Sequence, residues 1–139
     1  RGWVVAGCIG SALSLAALAL IGPMGPGAPL VPVTVALGFF NGVFAVAAIG
    51  SMMALAGQGR DRREGTRMGL WGAAQALAAG FGGLSGAALV DVLRLTTQDT
   101  SAFGSVFLFE ATLFLAAAAM AARIMDRKPV ITANLVPGE

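Results

Sequence analysis

The sequence contains no histidine, and its one cysteine is Cys8. Without histidine, no zinc site, Ser-His-Asp triad or Cys-His pair can be assembled from this chain. With one cysteine there is no internal disulfide, and Cys8, inside an apolar run, reads as a small buried packing residue. No GxxxxGK[ST] phosphate loop is present either. No catalytic constellation can be built from what remains, so the chain is not read as an enzyme. Charge is scarce as well. Only 12% of residues are charged, about half the usual share of a soluble domain. The formal excess is two positive charges, and no basic face is interleaved with aromatics. This balance points to orientation in a membrane, with no role for nucleic acid.

Apolar residues fill the space. Hydrophobic types make up 57% of the 139 residues, with 20 glycines besides, and the mean hydropathy is +0.81. A water-soluble domain of this size could not hide so much apolar surface. The composition therefore predicts an all-α integral membrane protein. Four apolar segments stand out, at about 3–21, 31–56, 68–90 and 106–122. Each approaches the ~20 residues a helix needs to cross ~30 Å of hydrocarbon. None shows the period-two alternation of a barrel strand, so all four read as helices. The connector "GPMGPGAPLVP" is expected to break any helix, and "RLTTQDTSAFGS" to form a short polar link. Residues 1–128 form the membrane region, and 129–139 a polar cytoplasmic tail. The first segment lacks a signal-peptide cleavage pattern and is read as a span. The chain opens on Arg1 and not on Met, which suggests a processed chain or a portion of a longer one.

The charges that exist are concentrated. In "GQGRDRREGTRMG", six charged residues fall within the eight positions 60–67. Of the nine Lys and Arg, eight lie on one side of the four-span arrangement and only Arg94 on the other. The positive-inside rule then puts both termini and the arginine loop in the cytoplasm. The loop reads as a topology signal or, more sharply, as a structured latch in which Arg60, Arg62, Arg63, Glu64 and Arg67 connect the second and third helices to other parts of the protein.

Small residues are patterned along the third span. Gly72, Ala76 and Gly80 share a face, Gly82 and Gly86 form a GxxxG pair, and Ala79, Gly83 and Ala87 repeat the spacing. Gly38 and Gly42 do so in the second span. In lipid, small residues let helix backbones approach closely. These glycines predict close packing and a third helix enclosed on several sides by neighbours. Few polar side chains interrupt the spans. Asn41 and Gln75 read as amide contacts between helices, and both remain candidates for ligand contact. Glu110, in "FLFEATLF", is the costly one. A carboxylate at that depth is neutral, paired or facing a polar cavity, and is a functional candidate by default. Asp91 and Arg94 are expected at the interface.

Two stretches carry a resemblance, "NGVFAVAAIGSMM" and "REGTRMGLWGAAQA", within residues 39–83. They resemble the PucC/LhaA family, the bacteriochlorophyll-delivery branch of the major facilitator superfamily, and the likeness extends over the whole chain. The resemblance implies a twelve-helix fold of which these four are helices nine to twelve. It implies a bacterial inner (intracytoplasmic) membrane and assistance to light-harvesting complex assembly. The implied partners are antenna polypeptides or a reaction-centre–antenna complex, membrane lipids and the remaining helices of the same fold. The implied pigments are bacteriochlorophyll or a carotenoid. Antenna subunits usually ligate magnesium through histidine, so this chain is not itself a standard one. A magnesium pigment here would need Asn, Gln, Glu, a backbone carbonyl or water. The alternatives left open are a structural transmembrane subunit and a small-molecule transporter with Glu110 as proton carrier.

Overall fold

The computed structural model describes residues 2–56 and 64–126. Four long helices follow one another: α1 Gly2–Ile21, α2 Leu30–Ala56, α3 Glu64–Arg94 and α4 Asp99–Asp126. All four are long and apolar enough to cross a membrane. The protein is thus an all-α membrane protein, with no strand among the described residues.

The helices overrun the apolar segments. α3 starts at Glu64 and not at Met68, and α4 at Asp99 and not at Val106. The added turns carry charge: Glu64 and Asp99 at the N-terminal ends, Arg94 and Arg123 at the C-terminal ends. Each sign suits the helix dipole at its end. Much of the expected polar link is therefore helix, and only residues 95–98 connect α3 to α4. The hydroxyls of Thr96 and Thr97 donate to the Leu93 carbonyl at 3.3 and 2.8 Å. They add to the bonds that the Thr96 and Thr97 backbone N–H groups already donate to the same carbonyl, at 3.1 and 2.9 Å.

The proline-rich connector breaks at its fourth residue. A 3₁₀ segment, Gly22–Gly27, continues from α1, and the break comes at Gly25, whose φ of 74° only glycine adopts without strain. Ala28, held extended by the proline after it, completes the turn. Pro32 falls in the first turn of α2, where an N–H has no helical partner to lose.

α1 is the central helix, with α2 and α4 packed antiparallel on either side. Its small residues make this possible. Gly7, Cys8, Gly10, Ser11, Ala12 and Ser14 are all buried. A Cβ on Gly7 would lie 2.7 Å from the Phe44 backbone nitrogen, so α1 and α2 meet backbone to backbone. The Phe40 ring occupies the place a Gly10 side chain would take. On the other flank Gly104 rests on Ala19, and Ala12, Leu15 and Ala111 form a buried cluster bordered by Leu37, Phe107 and Phe114. Phe44 and Phe114 meet edge to face at 6.4 Å across α2 and α4.

α3 is different. It lies along α4 and touches α2 less, and most of its surface is exposed. The enclosure expected for it is not provided by this chain. Gly38, Gly42, Gly72, Gly80 and Gly83 face open space, with nothing within 4 Å of a built Cβ. Of the glycines expected to pack closely, Gly86 alone has a neighbour, Glu110. The physical reason is that Gly7 and Gly10 fill the close-packing role. Their helix already has neighbours on two sides, whereas α3 has its main neighbour on one.

One polar group in the core is unsatisfied. Ser14 donates to the Gly10 carbonyl at 2.8 Å, but the fully buried Ser11 hydroxyl has no hydrogen-bond partner among the described residues. A buried hydroxyl without a partner costs about 1–3 kcal/mol. Replacing Ser11 with Ala is therefore expected to hold or raise the thermal unfolding midpoint in detergent. Gly7→Leu is expected to lower stability by at least the ~1–3 kcal/mol of an overpacked contact, because backbone stands in the way. Gly38→Leu, in open space, should change little in the same assay. Equal losses at Gly7 and Gly38 would mean that the α1–α2 contact is not the packing centre.

Candidate functional site

The site begins with Glu110. It lies eleven residues into α4 from Asp99 and thirteen before Arg123. At 1.5 Å per residue these are about 16 and 20 Å, which places the carboxylate deep in the hydrocarbon. It is half-buried, and it has no hydrogen-bond or ion-pair partner among the described residues. Its Oε1 lies 3.7 Å from the Cβ position of Gly86, against the bare backbone of α3.

Around it is a cleft of about 330 Å³ between α3 and α4. Gly82, Gly83 and Gly86 form a flat wall on α3, and Phe103, Phe107 and Val106 face them from α4. Asp91 and Arg94 line the end nearest the α3–α4 turn. Exposed charges bridge the two helices at this end. Arg94 Nε sits 3.2 Å from Asp99 Oδ1, across the turn, and Nη1 is 3.9 Å from Asp91 Oδ1. The guanidinium also stands 5.0 Å from the centre of the Phe103 ring. A pure cation–π stack or a pure ion pair would hold the two helices less specifically than this combination. The cleft thus offers two chemical capacities. Its apolar slot accepts a flat or branched hydrocarbon group, and its one deep carboxylate can accept a proton, a hydrogen bond or a metal.

A second groove, of about 570 Å³, runs between the start of α1 and the middle of α2. Trp3, Gly38, Phe39, Gly42, Val43, Val46 and Ala47 line it, without a charged or amide side chain.

The residues singled out in the sequence do not converge. Glu110 and Gly86 meet, with Gly83 on the same cleft wall. Asn41, on α2, and Gln75, on α3, are exposed and line neither cleft. Glu64 and Arg67 stand exposed on the first turn of α3, without an ion pair among the described residues. Arg60, Arg62 and Arg63 lie outside the described residues, as does the tail 129–139. The Arg94–Asp99 bridge had no reading in advance, although Asp99 was legible as an acidic residue five positions from the arginine.

A family model described as "PUCC protein" matches residues 1–129. The chain belongs to the PUCC protein family. A curated relative, the "Bacteriochlorophyll synthase 44.5 kDa chain" of Rhodobacter capsulatus, is 63% identical over 139 residues, covering 96% of this chain and 32% of that protein. This PUCC-family chain therefore spans about a third of the length of the curated relative it matches. No solved structure matches it.

The Arg94 bridge is exposed, with Asp99 and Asp91 about three-quarters accessible. Such pairs contribute about 0.2–1 kcal/mol each and weaken with salt. Arg94→Ala is therefore expected to lower the unfolding midpoint in detergent only slightly, and the difference from wild type should shrink as salt is raised. A large, salt-insensitive loss would mean that Arg94 is held by packing and not by charge.

Proposed function

We propose that this chain is part of an assembly factor for bacterial light-harvesting complexes, one that binds antenna polypeptides, delivers bacteriochlorophyll, or both. Membership of the PUCC family and 63% identity to a protein named for bacteriochlorophyll support a role in photosynthesis. That identity is the observation that carries the reading. The assembly role rests on the motif resemblance at "NGVFAVAAIGSMM" and "REGTRMGLWGAAQA". On this reading the four helices are nine to twelve of a major-facilitator fold, and the remaining helices cover the exposed faces of α3. The protein sits in the bacterial inner (intracytoplasmic) membrane with both termini in the cytoplasm. Arg67 and Arg123 at one end and Arg94 at the other agree with that orientation. The relative's name contains "synthase"; the reading here is non-enzymatic, and purified full-length protein is expected to turn over no pigment precursor.

Deleting the gene should lower antenna absorbance while bacteriochlorophyll synthesis continues, and full-length protein supplied in trans should restore it. Normal antenna levels in the deletion strain would sink the proposal.

A second reading is favoured by one observation, the depth of Glu110 in α4. Titratable groups at the midplane serve as proton carriers in secondary transporters. Proton-coupled uptake of a small molecule by full-length protein, abolished in Glu110→Gln, would support transport over assembly.

A further inference from the structure

We infer that the α3–α4 cleft is a docking site for one tryptophan side chain carried by the transmembrane helix of another polypeptide, with Glu110 accepting the indole N–H. The inference rests on the antenna-binding reading above and gives that reading a place and an atom.

The argument starts from the unpaired acceptor. Glu110 lies deep in α4 with no hydrogen-bond or ion-pair partner among the described residues. Ionised or protonated, a carboxyl group keeps an oxygen that accepts. In hydrocarbon no water fills that role, and a side chain from a neighbouring helix is the donor at hand. The cleft is small and open. Its volume of about 330 Å³ is at the low end for ligand sites and suits a single side chain. Phe103, Val106 and Phe107 make the α4 wall apolar and largely aromatic, and Glu110 supplies the acceptor. Tryptophan matches both, an apolar aromatic body with a donor-only tip. Lysine and arginine carry more donors than one carboxyl group in an apolar slot can satisfy.

The other wall says what carries the side chain. Gly82, Gly83 and Gly86 are bare backbone, which lets a further helix approach closely. Gln75 lies eleven residues before Gly86 and within about 20° of it around the helix. Polar positions thus continue along one face of α3 beyond the cleft, which fits an occupant as long as a helix. A second copy of this chain does not supply the tryptophan. Its two tryptophans are Trp3 and Trp71. Trp3 lies nine residues, about 14 Å, before Ala12, which packs at the level of Ala111. Trp71 lies fifteen residues, about 22 Å, before Gly86. In an upright neighbour neither stands at the depth of Glu110.

The test uses detergent-solubilised full-length protein and three labelled probes. One is a single-span peptide of leucine and alanine with tryptophan at its centre, the second is the same peptide with phenylalanine there, and the third is purified antenna polypeptide. Binding is read by fluorescence anisotropy. Wild type is expected to bind the tryptophan peptide about threefold or more tighter than the phenylalanine peptide, the scale of one interhelical hydrogen bond. Glu110→Leu should erase that difference by weakening only the tryptophan peptide. Glu110→Gln, which keeps an acceptor, should retain part of it. Gly83→Leu, which blocks the approach but leaves the carboxyl group, should weaken both peptides. Unchanged helical circular dichroism in Glu110→Gln secures the comparison if the leucine variant aggregates. Equal binding of the two peptides by wild type, or a preference that survives Glu110→Leu, would overturn the inference. So would a large loss of thermal stability in peptide-free Glu110→Leu, the sign that the protein's own remaining helices already fill the cleft. Antenna polypeptide that binds wild type and Glu110→Leu alike would leave the antenna-binding reading standing without this site. Its failure to bind wild type would remove that reading.

Discussion

The arrangement depends on how closely α1 approaches α2. In lipid, apolar side chains gain nothing by leaving the solvent, because the solvent is apolar too. Helices associate through dispersion and a few polar contacts, both of which fall away steeply with distance. Gly7 removes the atoms that would hold the two backbones apart, and Phe40 and Phe44 fill the space on either side. Once α1 is fixed there, its opposite flank carries Ala19 against Gly104, and Ala12 and Leu15 against Ala111. That register sets the height of α4. It also decides which way Glu110 faces, since a helix rotated to bury Ala111 turns the preceding residue toward α3.

The same residue type has two uses here. In α1, glycine is consumed by contacts inside the chain. In α3, the glycines at positions 72, 80 and 83 meet nothing, although their spacing is just as regular. Regular small residues state that a close neighbour is accommodated, but not where that neighbour comes from. The exposed Leu70, Leu77, Phe81 and Leu84 of α3 are between 74% and 77% accessible, and acyl chains or further helices are the solvents that suit them. A chain matching 32% of a relative is compatible with most of those neighbours lying elsewhere in a larger fold.

Much of the fold was legible because hydropathy measures the transfer of each segment into hydrocarbon. The same measure is blind to turns that leave the hydrocarbon, which is why α3 and α4 begin several residues before their apolar runs. Gly7 and Gly10 escaped notice although a signal existed: six of the eight residues from 7 to 14 are Gly, Ala, Ser or Cys. The four-residue spacing is present there too, at Gly7 and Ser11, Cys8 and Ala12, and Gly10 and Ser14, on a broad small face shared between two partners. Glu110 was legible from its cost alone. Its wall was only half legible, because Gly86 and Glu110 are neighbours through the register of two helices, and register is set by the turn at 95–98 and by the packing of α1. Asn41 and Gln75 looked equivalent to Glu110 as letters in apolar runs, but rotation about the helix axis puts them on open faces.

The four-residue turn between α3 and α4 has a mechanical side. α3 contains 31 residues, so it is a rod of about 46 Å. One end is pinned by a short turn, by two threonine hydroxyls on one carbonyl and by a guanidinium held between carboxylates. Among the glycines along the rest of the rod only Gly86 has a neighbour, Glu110, and Gly72, Gly80 and Gly83 meet nothing within 4 Å. Such a rod is a lever with its fulcrum at the Arg94 end. A tilt of about 5° would carry its far end by about 4 Å while barely moving the pinned end, so the gap beside Glu110 would widen by an amount set by its distance from the pin. The depth of the carboxylate thus fixes not only its electrostatic cost but also its gearing: motion delivered at the arginine-bearing end arrives at Glu110 reduced in proportion.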